Sequence, residues 1–405
     1  MRKKKTQKWV KPRHKIIKTM LYPFVNAYVK LKCGVKIERF KGKGQYLIIA
    51  NHQTSYDQFF VDLIFKNSVY YLSSEDVFSI GFASKLLKFF FNPIPIKKQT
   101  QDTGAVINCM RVAKEGGSIA IFPERNRTYS GKTEYINPSI AKLARKLNLP
   151  KAFIRIEGGY GVQPRWSDVF RKGNMRAYVS RVMELEEIKS CSVDQLNAII
   201  KQELFVDENL SDNQYFHKKS AEYLERAVYV CPYCGLTKFE SKNNQIECKK
   251  CLKKVRYLPN KQLEGVNFEF PFKNVGEWYN YQTEFVSKMD ISLFENNPAY
   301  IDEEISLYDV VFCKKKKVLN NDLKMLVFND RFEFIKGEYK TVLPLEKVST
   351  VTVLGRNKLN IYFDNNRKAY QVKGEKRFNA LKYVHFYYHY KNVKEGRVNK
   401  QFLGL

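Results

Sequence analysis

Two short segments hold the residues whose types and spacing suit catalysis. In the first, Asn51-His52-Gln53-Thr54-Ser55-Tyr56-Asp57, an imidazole sits five positions ahead of a carboxylate. An apolar strand, Tyr46–Ala50, runs into it, and a nearly all-apolar helix leaves it and continues to about Phe65. Ser55-x-x-Gln58 reads as a capping box, which puts Asp57 in the first helical turn, where the helix dipole favours a carboxylate. Asp57 can then hold one ring nitrogen of His52, leaving the other as a proton acceptor in a fixed tautomer. That is a base and its orienter without a protein nucleophile, so the attacking group comes from the substrate, for example an alcohol. Taken alone, such a pair is more often a local hydrogen bond.

The second segment is Gly116-Gly117-Ser118-Ile119-Ala120-Ile121-Phe122-Pro123-Glu124-Arg125-Asn126-Arg127-Thr128. A strand, Ser118–Phe122, stops at Pro123, and one carboxylate and two guanidiniums follow. Active sites of α/β sheets open at that carboxyl edge. Two arginines within three residues suit bidentate capture of phosphate. A solvated turn with a local Glu–Arg pair fits the same residues.

Four of the eight cysteines form a third constellation, Cys231-x2-Cys234 and Cys248-x2-Cys251, thirteen residues apart. This is zinc-ribbon spacing, and four thiolates make a closed, structural, tetrahedral site. Two disulfides are the alternative. The scattered Cys33, Cys109, Cys191 and Cys313 speak for a reducing compartment and against it. Lys249, Lys250, Lys253, Lys254 and Arg256 surround the second knuckle, a charge able to face nucleic acid, lipid or nothing.

The elements that must position these residues fall into stretches of different character. The chain has 405 residues, enough for two or three domains. Strand and helix alternate from Tyr46 through strands Ala152–Ile156 and Arg176–Val182, with helices ending at Gly116-Gly117 and spanning Pro138–Leu147, so residues 19–190 read as an α/β domain. Residues 191–228 read as a helical connector, 229–258 as the ribbon and 259–304 as a linker. From 305 to 395 the pattern becomes period-two runs: Met325–Phe328, Arg331–Ile335, Val348–Val353, Leu359–Phe363 and Ala369–Val372. A last helix runs from about Glu375 to Tyr390. His385 and His389 stand one turn apart on it and read as part of its aromatic face.

Lys and Arg number 71 against 41 Asp and Glu, a net charge of +30, so anionic partners are expected. Residues 1–18 are strongly basic. No run of about 18 apolar residues marks a spanning helix. Residues 15–32 place Ile16, Met20, Phe24, Val25 and Val29 on a helical stripe, with Pro23 expected to kink it. Such a stripe belongs either to a core helix or to a helix lying in a membrane surface. A second apolar and basic patch follows at Ile80–Phe91.

Together the two catalytic segments resemble the glycerolipid acyltransferase superfamily, whose type members are lysophosphatidate (1-acylglycerol-3-phosphate) acyltransferases. The family's Asn-His-x4-Asp is matched by Asn51, His52 and Asp57. Its Phe-Pro-Glu-Gly-Thr-Arg-Ser is matched by Phe122, Pro123, Glu124 and Arg127, about 70 residues further on. The family's Gly and Thr are here Arg125 and Asn126, and Thr128 replaces Ser. The resemblance covers roughly residues 20–190. It implies a mixed sheet flanked by helices, His52 as general base oriented by Asp57, and Glu124 and Arg127 as acceptor contacts. Arg125 or Lys97 is expected to help on the acceptor phosphate. The implied donor is acyl-CoA or acyl-carrier protein, and the implied acceptor is a lysophospholipid or glycerol phosphate. Residues 305–392 resemble a small pleckstrin-homology-like or GRAM-like barrel. The expected setting is the inner face of the cell membrane, on anionic lipid. A nucleic-acid- or lipid-binding ribbon protein with a degenerate acyltransferase domain is the competing expectation.

Overall fold

The computed structural model describes residues 8–74, 85, 88–96, 103–310 and 316–397. Lys97, the basic start Arg2–Lys5, most of the 80–91 patch and Cys313 lie outside the described residues.

The first unit comprises α1 (Pro12–Cys33), β1 (Val35–Ile37), β2 (Leu47–Ala50), α2 (Asp57–Ile64), β3 (Val69–Ser74), β4 (Ile94–Ile96), α3 (Thr103–Lys114), β5 (Ser118–Ile121), α4 (Ser139–Lys146), β6 (Lys151–Glu157), β7 (Met175–Met183) and α5 (Val193–Leu204). Its seven strands run in the order β1–β7–β6–β2–β5–β3–β4. Strands β6, β2, β5, β3 and β4 are parallel to one another, while β7 runs antiparallel to β6 and parallel to β1. All four residues of β2 are buried, which is why it is an unbroken apolar run rather than an alternating one. One face of the sheet is covered by α1 and α2 through Val29, Phe60, Val61 and Ile64. The other is covered by α3, α4 and α5 through Val112, Ile140, Leu196 and Ile200. Helices α1 and α2 thus meet on the side where the first catalytic segment begins.

Helix α1 is continuous through Pro23. Its apolar residues divide between two sides. Val29 and Cys33 are buried, and Ile17, Leu21 and Val25 line a cleft against Phe59 and Leu63. Ile16, Met20, Phe24 and Leu31 are 60%, 66%, 73% and 89% exposed. The helix is anchored by Lys18, whose ammonium donates to Asp62 (2.9 Å) and to the Asn67 carbonyl (2.7 Å). Among the described residues no helix is long and apolar enough to cross a membrane.

The connector is helical only to Leu204. Beyond it come two 3₁₀ turns, Glu208–Leu210 and Leu224–Arg226, and a two-residue strand, Tyr215–Phe216, paired to Lys172–Gly173. A hairpin, Val230–Cys231 with Gly235–Leu236, then leads into a four-stranded antiparallel sheet of β8 (Phe239–Lys242), β9 (Gln245–Cys248), β10 (Lys254–Tyr257) and β11 (Leu263–Gly265). Residues 259–304, which read as a linker, contain β11 and a full helix, α6 (Val275–Ser287). Asn274 caps it by accepting from the Glu277 amide (3.0 Å).

The C-terminal part is β12 (Tyr300–Asp309), β13 (Lys317–Val327), β14 (Arg331–Lys336), β15 (Tyr339–Pro344), β16 (Val348–Leu354), β17 (Lys358–Phe363), β18 (Lys368–Lys373) and α7 (Leu381–Lys394). All pairings are antiparallel, in the order β15–β14–β13–β12–β18–β17–β16. The strands and closing helix agree with the period-two runs. Among the described residues the two end strands of this order, β15 and β16, form no ladder with each other.

One apolar core runs through all of the second half and reaches into the first unit at Tyr129 and Trp166. Trp278 of α6 is buried in it and donates to the Val230 carbonyl (2.7 Å). His385 of α7 lies between the Tyr229 hydroxyl (2.6 Å) and the Tyr279 hydroxyl (3.2 Å). Burial pushes that imidazole down to about 3, so it is a neutral packing group. His389 contacts the Met289 carbonyl (2.7 Å).

Candidate active site

The β2–α2 junction is organised by the carboxylate of Asp57, fully buried at the first position of α2. Oδ2 accepts from the Gln53 amide (2.6 Å) and the Thr54 amide (2.9 Å), and Oδ1 from the Thr54 hydroxyl (2.5 Å). The remaining contact is His52 Nδ1 at 2.8 Å from Oδ2. A carboxylate surrounded by donors can only accept, so Nδ1 carries the hydrogen and Nε2 is the open acceptor. The His52 side chain is about one-fifth exposed, so Nε2 chemistry is reachable. The ring stands over Phe122 with centroids 4.7 Å apart.

The expected capping box does not form. The residue before the helix is Tyr56, without a side-chain cap, because Asp57 itself reaches back to the loop amides. Ser55 turns away: its amide (3.0 Å) and hydroxyl (2.9 Å) both donate to Gln163 Oε1.

Asn51 is a clamp. Its amide donates to the Ile156 carbonyl (2.8 Å) and its oxygen accepts from the Ile156 amide (2.7 Å), extending the β2–β6 ladder by one side chain. The Gly158-Gly159-Tyr160 stretch, without a role in the sequence, supports the same loop. The Tyr160 amide donates to Gln53 Oε1 (3.2 Å). A Cβ on Gly159 would come within 2.7 Å of that same oxygen.

Glu124 is buried, and both of its oxygens are taken by backbone. Oε1 accepts from the His52 amide (2.7 Å) and Oε2 from the Glu134 amide (2.8 Å). Glu124 thereby locks the second segment to the histidine of the first. Burial pushes its carboxyl well above the ordinary range. Arg125 sits at φ 64°, in the left-handed region that favours glycine. For a residue with a Cβ this costs about 1–2 kcal/mol. Its side chain is exposed, close enough to Tyr388 of α7 for its charge to act there.

Arg127 is sunk in a narrow cleft lined also by Tyr129, Glu134, Arg165 and Tyr279. Its Nη1 is sealed from solvent and has no hydrogen-bond partner among the described residues. Desolvation, with the nearby charges of Arg165 and Arg356, pushes the guanidinium down to about 10. Such a group favours an incoming anion. The sequence pattern missed Gln163, Arg165 and Arg356. The run Pro164-Arg165-Trp166-Ser167 holds Arg165 without a role readable from spacing, and nothing marks Gln163 or Arg356.

The four cysteines come together as expected. Their ligand atoms lie within 4.8 Å of one another, with Cys231–Cys251 Sγ atoms at 3.7 Å and Cys234–Cys248 at 3.5 Å. A disulfide needs about 2.0 Å. The basic residues around the knuckle are largely engaged. Lys249 pairs with Glu240 (3.2 Å) and Glu247 (3.4 Å), Lys254 with Glu247 (3.2 Å) and Arg256 with Glu264 (3.3 Å).

Replacing Asn51 by Leu strands the Ile156 amide and carbonyl in the core. Unfolding in urea should then show a loss of about 2–4 kcal/mol for the first unit, from two buried groups left unpaired. A change below about 0.5 kcal/mol, the scatter of neutral surface substitutions, would contradict the clamp.

Residues 33–158 match the model of the family described as "Acyltransferase". Among solved structures, the chain aligns with the crystal structure of the 1-acyl-sn-glycerophosphate (LPA) acyltransferase PlsC from Thermotoga maritima. Identity is 17% and the TM-score 0.41, over 50% of this chain and 80% of that one. No curated protein matches. His52, Asp57, Glu124 and Arg127 all fall inside the segment that matches this family model.

Proposed function

We propose that the protein transfers a fatty acyl group from a thioester donor to the hydroxyl of a lysophospholipid or glycerol phosphate. The observation that carries this is the His52–Asp57 pair, with Nε2 left as the acceptor. His52 Nε2 takes the hydroxyl proton as the oxygen attacks the thioester carbonyl. The tetrahedral intermediate collapses to the ester, and the thiolate leaves with that proton. Asp57 holds the ring and offsets the charge it gains. Arg127 supplies a desolvated guanidinium for the acceptor phosphate. Glu124 and Asn51 act by holding the two loops in register. The donor is acyl-CoA or acyl-carrier protein.

The exposed row Ile16, Met20, Phe24 and Leu31, flanked by the basic N-terminal residues, supports docking on an anionic membrane surface, with the cytoplasmic face as the proposed location. The C-terminal sheet and its helix keep the strand count of a pleckstrin-homology-like module and are proposed to serve this unit.

Purified protein on anionic vesicles, given acyl-CoA or acyl-carrier protein and a panel of lyso-acceptors, should form the corresponding diacyl product. His52→Ala should lower turnover at least about a hundredfold, the usual contribution of a general base. Equal transfer by the variant, or no transfer by the wild type to any acceptor, contradicts the proposal.

We further infer that Cys231, Cys234, Cys248 and Cys251 hold one structural zinc ion. Zn–S bonds of about 2.3 Å in a tetrahedron place sulfurs about 3.8 Å apart, close to the spacing seen. Elemental analysis should give one zinc per chain, lost in Cys248→Ser together with several degrees of thermal stability. Metal-free protein with unchanged unfolding would rule the site out.

A further inference from the structure

The turn between β16 and β17 (Leu354–Lys358) belongs to the C-terminal sheet, yet it is seated on the acyltransferase unit. Arg165 makes the join. Its Nε donates to the Gly355 carbonyl (3.3 Å) and its Nη2 to the Val353 carbonyl (3.1 Å). The same guanidinium donates through Nη1 to the Arg127 carbonyl (3.1 Å) and through Nη2 to Asn126 Oδ1 (3.3 Å). One side chain therefore sets the turn and the second catalytic segment against each other, and Val353 contributes to the cleft beside Arg127.

Arg356, at the tip of this turn, donates to Asp168 Oδ1 (2.9 Å). Asp168 is also gripped by Arg226 through both oxygens, at 2.7 and 3.3 Å. Two guanidiniums share one carboxylate, so a positive charge is left over. Arg356 is only about one-third exposed. Its charge is felt both by Tyr56, in the first catalytic segment, and by Arg127, in the second. Arg127 meanwhile has a sealed Nη1 without a hydrogen-bond partner among the described residues.

We propose that the C-terminal sheet completes the acceptor site: Arg356 and Arg127, from two different units, together bind the phosphate of the acceptor, and Arg165 is the positioning residue that holds them in register. Two guanidiniums with spare donors suit a dianionic phosphate monoester better than a neutral or singly charged headgroup. The sheet is then part of substrate recognition. The inference rests on the acyl-transfer reading for its substrate, while the binding itself is separable from turnover.

The test uses the full chain and lysophosphatidate in mixed micelles without donor, so that binding is measured free of chemistry. Arg356→Ala should weaken lysophosphatidate binding about tenfold, as for loss of a charge-assisted contact, and leave monoacylglycerol binding unchanged. Arg356→Lys should recover part of the loss. Arg367→Ala, a mostly exposed arginine on the same sheet, should behave as wild type. With donor present, the Arg356→Ala effect should appear in the acceptor KM and not in the donor KM. Unchanged lysophosphatidate binding in Arg356→Ala overturns the inference, as does an equal loss for monoacylglycerol, which would mark a structural role. Absence of transfer by the wild type, with the binding difference intact, would defeat the acyl-transfer reading alone.

Discussion

The buried carboxylate of Asp57 is the interaction on which the rest of the site depends. It accepts from two backbone amides, a hydroxyl and an imidazole at once, all within three to five residues of itself. Burying a carboxylate is tolerable only where its oxygens are filled in this way. The loop 51–56 consequently has one shape. That shape fixes the His52 tautomer, sets Ser55 against Gln163 and presents the His52 amide to Glu124. A second buried carboxylate, Glu124, then ties the loop leaving β5 to the loop leaving β2. The two catalytic segments are thus joined by bonds from a carboxyl group to backbone, not by contact between their reactive side chains.

The appended parts are built into this arrangement. The core of the second half includes Tyr129 and Trp166 of the first unit. Arg226, ahead of the cysteine-rich sheet, donates to the Trp166 carbonyl (3.0 Å), to Asp168 and to the Lys376 carbonyl (2.7 Å). Buried arginines at such a junction do not add much stability by themselves, since desolvation offsets their pairing. They do specify one geometry, because each donor needs its own carbonyl. The cysteine-rich sheet and α6 share this core, and Arg226 joins it to the first unit.

Much of this is legible in the sequence. Strands β2, β5 and β6 are short, largely apolar runs ended by Asn, Pro or Gly, and helices α3 and α4 have clear stops. His52, Asp57 and the four cysteines are recoverable because local spacing alone brings their ligand atoms together. For Glu124 the spacing tells only part of the story. It shows a carboxylate near a strand end, but only the fold shows both its oxygens facing amides. The capping box fails for a similar reason, since Asp57 competes successfully for the loop amides and Ser55 finds Gln163, 108 positions away. Helix α6 is hidden because its buried stripe of Val275, Trp278, Gln282 and Val286 is interrupted by the polar Gln282. Arg356 cannot be read at all. Its meaning comes from a contact 188 residues distant, to Asp168.

The orientation of His52 by Asp57 is the physical claim from which the catalytic reading follows. Asp57→Asn preserves size and leaves the loop's Oδ1 contacts available, but removes the charge and favours the other tautomer. Steady-state assay of this variant on the best acceptor should show kcat lower by about 10³–10⁴-fold, with the acceptor KM within about threefold of wild type. A kcat within about tenfold of wild type, in a variant that unfolds at the wild-type temperature, would contradict that claim.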